Sequence, residues 1–266
     1  MRRRRGYHAG YRTECGRVSY ATTGEALGQR SASRQSTRYN RPMHPTEISP
    51  AIAERMQRRR GHLRVFERLE PAKTALVVID MQRAFLEVGA PSETPVAREI
   101  VPNINRLAAT VRSSGGAVAW VQAAFQPGDW PLYFDYMVTP AISAAVLAAL
   151  TDGAPGHELW SSLDVQASDI RVKKIRYSAF FPGACPLPDR LRERGIDTVL
   201  IAGTLTNVCC EASARDAMMA DFKTVMVADA NAARSDAEHV AALDNVVQFF
   251  GDVRTTDDVI GLLKRG

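Results

Sequence analysis

The stretch from Asp197 to Ala217 constrains this chain more than any other. It opens on an apolar run, Thr198-Val199-Leu200-Ile201-Ala202, breaks at Gly203-Thr204-Leu205-Thr206-Asn207-Val208, and restarts with Cys209-Cys210-Glu211 in a helix-compatible pattern. This reads as a buried strand, a tight turn and a helix N-terminus. Backbone N–H groups at a helix start lack partners and carry the positive end of the dipole, so a thiol there should lose its proton more readily than a free one. The same N–H groups can hold an oxyanion on a carbonyl under attack. The plain alternative is a cysteine serving as a small hydrophobe, and this stretch alone leaves both open.

At 266 residues, 45% hydrophobic and 24% charged, the chain can build one α/β domain with a full core. No apolar run approaches the roughly 20 residues that cross a bilayer, and the N-terminus lacks the apolar core of a secretory signal. A soluble cytoplasmic protein with no membrane partner is expected. Cys15, Cys185, Cys209 and Cys210 show no zinc-type spacing, and the adjacent pair would form only a strained bridge, so all four read as reduced thiols.

The net charge of +5 is unevenly divided. Residues 1–42 hold ten Arg, no Lys and only Glu14 and Glu25 as acids, a net +8 that leaves −3 for the remainder. A mildly acidic globular part gives no reason to expect nucleic acid as its partner. Residues 1–45 have no sustained periodicity and are expected to form a disordered basic extension ahead of a domain spanning 46–266. The extension reads as an acid-poor targeting peptide, a basic arm for an anionic partner, or translated sequence upstream of a start at Met43. The last is preferred, because Met43-His44-Pro45 begins a segment of ordinary composition.

From Pro45 to Arg60 the spacing of Ile48, Ile52 and Met56 predicts a surface helix. Lys73-Thr-Ala-Leu-Val-Val-Ile-Asp80 is apolar without alternation, as in a central parallel strand covered on both faces, and it ends in a carboxylate. Open parallel sheets form their sites beyond the C-terminal strand ends, where Asp80 falls; a capping or turn Asp is the alternative. Val96, Ile100, Ile104, Leu107 and Val111 predict a helix over 92–114, and Ala117–Gln122 the next strand. The aromatic stretch 123–140, including Phe125, Trp130, Tyr133, Phe134 and Tyr136, reads as a loop that shapes a pocket or packs a subunit contact. A short helix over 141–150 and a strand over 170–174 follow, and of the consecutive Lys173 and Lys174 only one can face a pocket. The remaining pattern predicts a helix over 186–194, a strand over 223–228 ending at Asp229, a helix over 236–250, an edge strand over 252–254 and a last helix capped by Thr255. Strands alternating with helices at this spacing imply a doubly wound α/β domain.

Three motifs now stand in order. Asp80-Met81-Gln82 with Phe85 closes the first strand, Lys174 precedes Tyr177-Ser178-Ala179-Phe180, and Gly203-Thr204-Leu205-Thr206-Asn207-Val208-Cys209 is followed by Glu211, Arg215, Asp216 and Ala217. Together they resemble the isochorismatase-like cysteine hydrolases, which include N-carbamoylsarcosine amidase and nicotinamidase, over roughly residues 70–255. The resemblance implies a mostly parallel six-stranded sheet with helices on both faces and a homo-oligomer. It also implies a triad in which Cys209 is the nucleophile, Asp80 the acid/base and Lys174 the lysine beside them. A non-proline cis peptide would fall at Thr204–Leu205, with the N–H groups of Leu205 and Cys209 as oxyanion donors. Gln82, Phe85, Trp130, Tyr133 and Phe180 are the candidate substrate contacts.

One helical step turns about 100°, so Cys209 and Cys210 cannot both face one pocket, and the family usually has an aliphatic residue at the second position. Nicotinamidases carry an Asp/His metal cluster after the second strand, whereas residues 123–140 hold no His. No metal and no cofactor are therefore expected. The implied activity is hydrolysis of a small linear amide or ureido/carbamoyl C–N bond through a thioester. The alternatives are vinyl-ether hydrolysis of the isochorismate type and a non-catalytic binding protein on the same fold.

Overall fold

The computed structural model describes residues 43–265. Residues 1–42 of the expected disordered extension over 1–45, Cys15 among them, and Gly266 lie outside the described residues. The strands are β1 (Thr74–Ile79), β2 (Ala117–Ala123), β3 (Ile170–Lys174), β4 (Thr198–Thr204), β5 (Lys223–Ala232) and β6 (Asp252–Arg254). The α-helices are α1 (Pro50–Arg60), α2 (Arg83–Leu86), α3 (Val101–Ser113), α4 (Pro140–Leu150), α5 (Leu187–Arg192), α6 (Glu211–Met219), α7 (Asp236–Phe249) and α8 (Thr256–Leu263).

All strand pairs are parallel, in the order β3-β2-β1-β4-β5-β6. The chain therefore builds outward from β1 to one edge, then returns to β1's other side with β4 and builds to the opposite edge. The reversal point lies between β1 and β4, where the following loops diverge and leave room for a site.

Every residue of β1 is buried, because each face of the strand meets a separate core. Leu76 and Val78 pack with Trp120, Leu200 and Val225 beneath Ile104, Leu107 and Val111 of α3 and Val259 and Leu262 of α8. Ala75, Val77 and Ile79 pack on the other face with Val199, Ile201 and Met226 against Leu191 of α5, Ala214 of α6 and Leu243 and Val246 of α7. Period-two alternation assigns neighbouring residues to opposite layers, so two covered faces need the unbroken apolar run seen in the sequence.

The boundaries depart from the expected ones where single residues act on the backbone. The helix expected over 92–114 begins only at Val101, after a short 3₁₀ turn over Pro95–Arg98, because Pro102 has no N–H to continue a helix from upstream. The expected start of α1 at Pro45 moves to Pro50 for the same reason. β5 runs past Asp229 to Ala232, through a register shift opposite Ile201 and Gly203. Asn231 makes this possible by donating to the carbonyls of Ile201 at 2.9 Å and Val227 at 2.7 Å. Thr255 caps α8 in a reciprocal box with Asp258. His44, which falls in the expected extension, is buried in the domain against Asp236 and Ala233. Among the described residues no helix is long and apolar enough to cross a membrane.

Candidate active site

Asp80 leaves the end of β1 with φ of 53°, in the left-handed region that few residues other than glycine adopt. Its N–H donates to the Val121 carbonyl at 2.9 Å, and its Oδ1 accepts from the Ala123 N–H at 3.0 Å, so both backbone and carboxylate are tied to the end of β2. Lys174 closes β3, whose side chains alternate between buried and exposed. Lys173 turns outward to pair with Asp152 at 2.5 Å, and Lys174 turns inward. The Lys174 ammonium reaches three acceptors: Asp80 Oδ2 at 2.8 Å, the Arg176 carbonyl at 3.1 Å and Cys209 Sγ at 3.5 Å.

Cys209 lies in a single wide helical turn, Thr206–Cys210, between β4 and α6. Gly203, at φ 117°, lets β4 pass so close to β1 that a Cβ would sit 2.1 Å from the Ile79 carbonyl oxygen. The peptide between Thr204 and Leu205 is cis. The three side chains are almost wholly shielded, with 0% exposure for Asp80, 1% for Lys174 and 7% for Cys209. Cys210, one position on, is buried in the core of the α5–α6–α7 face.

The electrostatics correct the expectation of an acidified thiol. Burial first, and the Asp80 charge second, push the Cys209 thiol well above its ordinary value, and the opposing Lys174 charge does not reverse this. Burial by itself would lower Lys174, but the charges of Asp80 and Cys209 prevail and raise it. The ammonium therefore stays charged, and a thiolate is disfavoured because a second anion beside Asp80 is costly in a dry site.

Of the expected substrate contacts, three are buried among protein groups. The Gln82 amide is consumed by the backbone, donating to the carbonyls of Ala123 and His157, each at 3.0 Å, and accepting from the Ala123 N–H at 2.8 Å. It is a strut between β2 and the loop before β3, with both amide protons committed to backbone carbonyls. Phe85 is buried in the core of the α3–α8 face, and Phe180 is buried on the other face edge-on to Phe222, 5.4 Å between centroids. Their apolar rings joined the cores, which the motif spacing alone did not reveal.

Trp130 and Tyr133 do come together, stacked at 5.0 Å, and both meet Tyr177 edge-on, at 4.6 and 5.7 Å. The Arg176 guanidinium lies 5.2 Å over the Trp130 ring. Tyr177 is a neighbour of the site absent from the expected contacts. Burial, with Tyr133 and Cys209 nearby, raises its phenol above the ordinary value. An aromatic residue three places beyond the strand-end lysine was the available signal. Among the described residues no cluster of three His, Cys, Asp or Glu side chains is placed to hold a metal ion.

A carboxylate, an ammonium and a thiol converging where a six-stranded parallel sheet reverses define a doubly wound α/β protein of hydrolase type. The Isochorismatase domain model matches residues 74–258. The ureidoacrylate amidohydrolase RutB of Pseudomonas savastanoi pv. phaseolicola is 32% identical over 210 residues, covering 72% of this chain and 84% of that protein. A cysteine hydrolase from Pseudomonas syringae pv. phaseolicola superposes with a TM-score of 0.69 at 28% identity, covering 76% of this chain and 97% of that one. The N-carbamoylsarcosine amidase of Thermoplasma acidophilum does so with a TM-score of 0.58 at 28% identity, over 70% of this chain and 97% of its own. The chain belongs to the isochorismatase family.

Proposed function

We propose that this chain is a cysteine hydrolase that cleaves the C–N bond of a small linear ureido or carbamoyl compound through a thioester. The observation that carries this reading is the shielded Lys174 ammonium, 2.8 Å from Asp80 Oδ2 and 3.5 Å from Cys209 Sγ. The names of the similar amidohydrolase and amidase supply the substrate class.

Burial and the Asp80 charge disfavour a free thiolate, so in this reading the proton leaves sulfur in step with attack. Asp80 accepts it as the S–C bond forms, and the carbonyl oxygen takes up negative charge. The N–H groups of Leu205 and Cys209, on the turn held by Gly203, are the proposed donors to that oxygen. Asp80 then protonates the departing nitrogen, the C–N bond breaks and the carbonyl remains on Cys209 as a thioester. Water adds to this carbonyl while giving a proton to Asp80; the C–S bond breaks and the proton returns to sulfur. Lys174 keeps its charge throughout and offsets whichever of Asp80 and Cys209 is anionic.

Trp130 and Tyr133, grouped with Tyr177, are the proposed substrate-facing rings. Domain limits of 46–266 are also proposed, extended back to include His44. A cytoplasmic location suits a reduced nucleophile, and a homo-oligomer suits the exposed Leu132, Tyr136, Met137 and Ile142 beside the aromatic group. Light scattering tests the last point.

The test of function is ammonia release from a panel containing ureidoacrylate, N-carbamoylsarcosine and simple primary amides. Turnover of at least one ureido or carbamoyl member, abolished in Cys209→Ala, is expected. Consumption of isochorismate with no ammonia from any member would replace this reading with vinyl-ether hydrolysis.

A further inference from the structure

The turn that carries Cys209 is held at its first residue by a histidine pair assembled from distant parts of the chain. Thr206 Oγ1 lies 2.9 Å from Nδ1 of His239, in the first turn of α7, and both residues are fully buried. The His239 ring stacks on His44, with 4.7 Å between centroids and 24° between planes. His44 is clamped in turn: its Nδ1 lies 2.7 Å from Asp236 Oδ1, and its Nε2 lies 3.1 Å from both the N–H and the carbonyl of Ala233, directly after β5. The Nδ1 of His44 thus faces the carboxylate and its Nε2 faces the Ala233 backbone, so both ring nitrogens have partners. The Nε2 of His239 has no partner among the described residues. This ring is therefore committed to the apolar stack on one side and to a single polar contact, Thr206, on the other.

We propose that His239, braced by His44, is a positioning residue that fixes Thr206 and thereby aims the turn bearing Cys209. The proposal rests on Cys209 being the nucleophile. Burial, and secondarily His44, push the His239 ring down to about 3, so it stays neutral while Asp236 opposes the shift. A neutral ring beside a hydroxyl is a fixed strut that does not change charge as the reaction proceeds. The three groups come from the residues before α1, the Cys209 turn and α7, so the strut couples the chain's early segment to the site.

The experiment compares Thr206→Val, Thr206→Ser, His239→Leu, His239→Asn and His44→Ala with the wild type. The readouts are melting temperature, the rate of iodoacetamide alkylation at Cys209 followed by peptide mass spectrometry from pH 6 to 10, and ammonia release from ureidoacrylate. Asn places its amide near the position of His Nδ1, and Ser keeps the hydroxyl, so these two test rescue. Thr206→Val and His239→Leu are expected to slow alkylation and kcat about tenfold or more in protein that remains folded, with KM changed less than threefold. A double variant carrying Thr206→Val and His239→Leu should lose no more than either single one, because both remove the same contact. His44→Ala should show a smaller loss, and Thr206→Ser and His239→Asn should recover most of the rate. Lowered melting temperatures with wild-type alkylation and kcat in the folded fraction would overturn the proposal and leave His239 purely structural. Full activity in Cys209→Ala would instead overturn the nucleophile reading, whatever the His239 variants do.

Discussion

Replacing Gly203 with Ala should damage both stability and activity. At φ 117° a side chain is strained, at about 1–2 kcal/mol. The added Cβ would also stand 2.1 Å from the oxygen, 2.7 Å from the nitrogen and 2.9 Å from the carbonyl carbon of Ile79. All three are backbone atoms, so no side chain can swing aside. Ordinary contact requires β1 and β4 to part by about 1 Å at the Ile79–Gly203 register, an overpacking that costs about 1–3 kcal/mol. The total is about 2–5 kcal/mol against a domain stability of about 5–15 kcal/mol. Ile79 precedes Asp80, so the displacement also moves the carboxylate from Lys174 and Cys209, and a misplacement of this size costs about 100-fold in rate. Gly115→Ala is the internal control, since Gly115 has φ 86° but nothing within 4 Å of a new Cβ. It should show the conformational cost without the collision. Urea denaturation of both variants, with activity measured per folded molecule, separates the two terms. If Gly203→Ala were no less stable than Gly115→Ala and fully active, the close β1–β4 approach would not be what sets the site.

Other outcomes follow from the same geometry. Cys209 should alkylate with iodoacetamide faster than Cys210, which is buried in the core, and Cys210→Val should fold and remain active because the two side chains are of similar bulk. Asp80→Asn should lose nearly all turnover, since the amide keeps the shape but takes no proton. His239 gives stability a definite pH dependence. Its folded value of about 3 lies below the ordinary 6.5, so above pH 6.5 it is neutral in both states and has no effect. As pH falls below 6.5 only the unfolded chain takes the proton, and stability drops by about 2 kcal/mol at pH 5. His239→Asn should remove that part of the acid sensitivity in denaturation curves, and an unchanged slope would contradict it. Activity should survive exhaustive chelation; inactivation reversed by zinc, iron or manganese would show a metal requirement.

The sheet and the three converging residues were legible because each leaves a local mark. β1 needs an unbroken apolar run for its two cores, and Asp80, Lys174 and Cys209 each sit at or just beyond a strand end, where a parallel sheet forms sites. What was not legible depends on partners far away in sequence. Gln82 is a strut because Ala123 and His157 happen to lie on either side of its amide, and Phe180 is core because Phe222 meets it. The extension of β5 to Ala232 needs the Asn231 amide to reach the Ile201 carbonyl across the sheet. His44 and His239 stand almost 200 positions apart and carry no periodic or motif signal. The upward direction at Cys209 was not legible because it comes from burial and from the adjacent Asp80 carboxylate, which the local sequence around the cysteine does not reveal.

The central claim is a covalent bond between substrate carbon and Cys209. Wild-type protein mixed with ureidoacrylate, or with whichever panel member releases ammonia, should be quenched in acid during turnover and digested for mass spectrometry. The account predicts an added acyl or carbamoyl mass on the peptide containing Cys209, localised to that residue by fragmentation and absent, along with turnover, in Cys209→Ala. Turnover persisting in Cys209→Ala, or the added mass residing on Cys210, would contradict it.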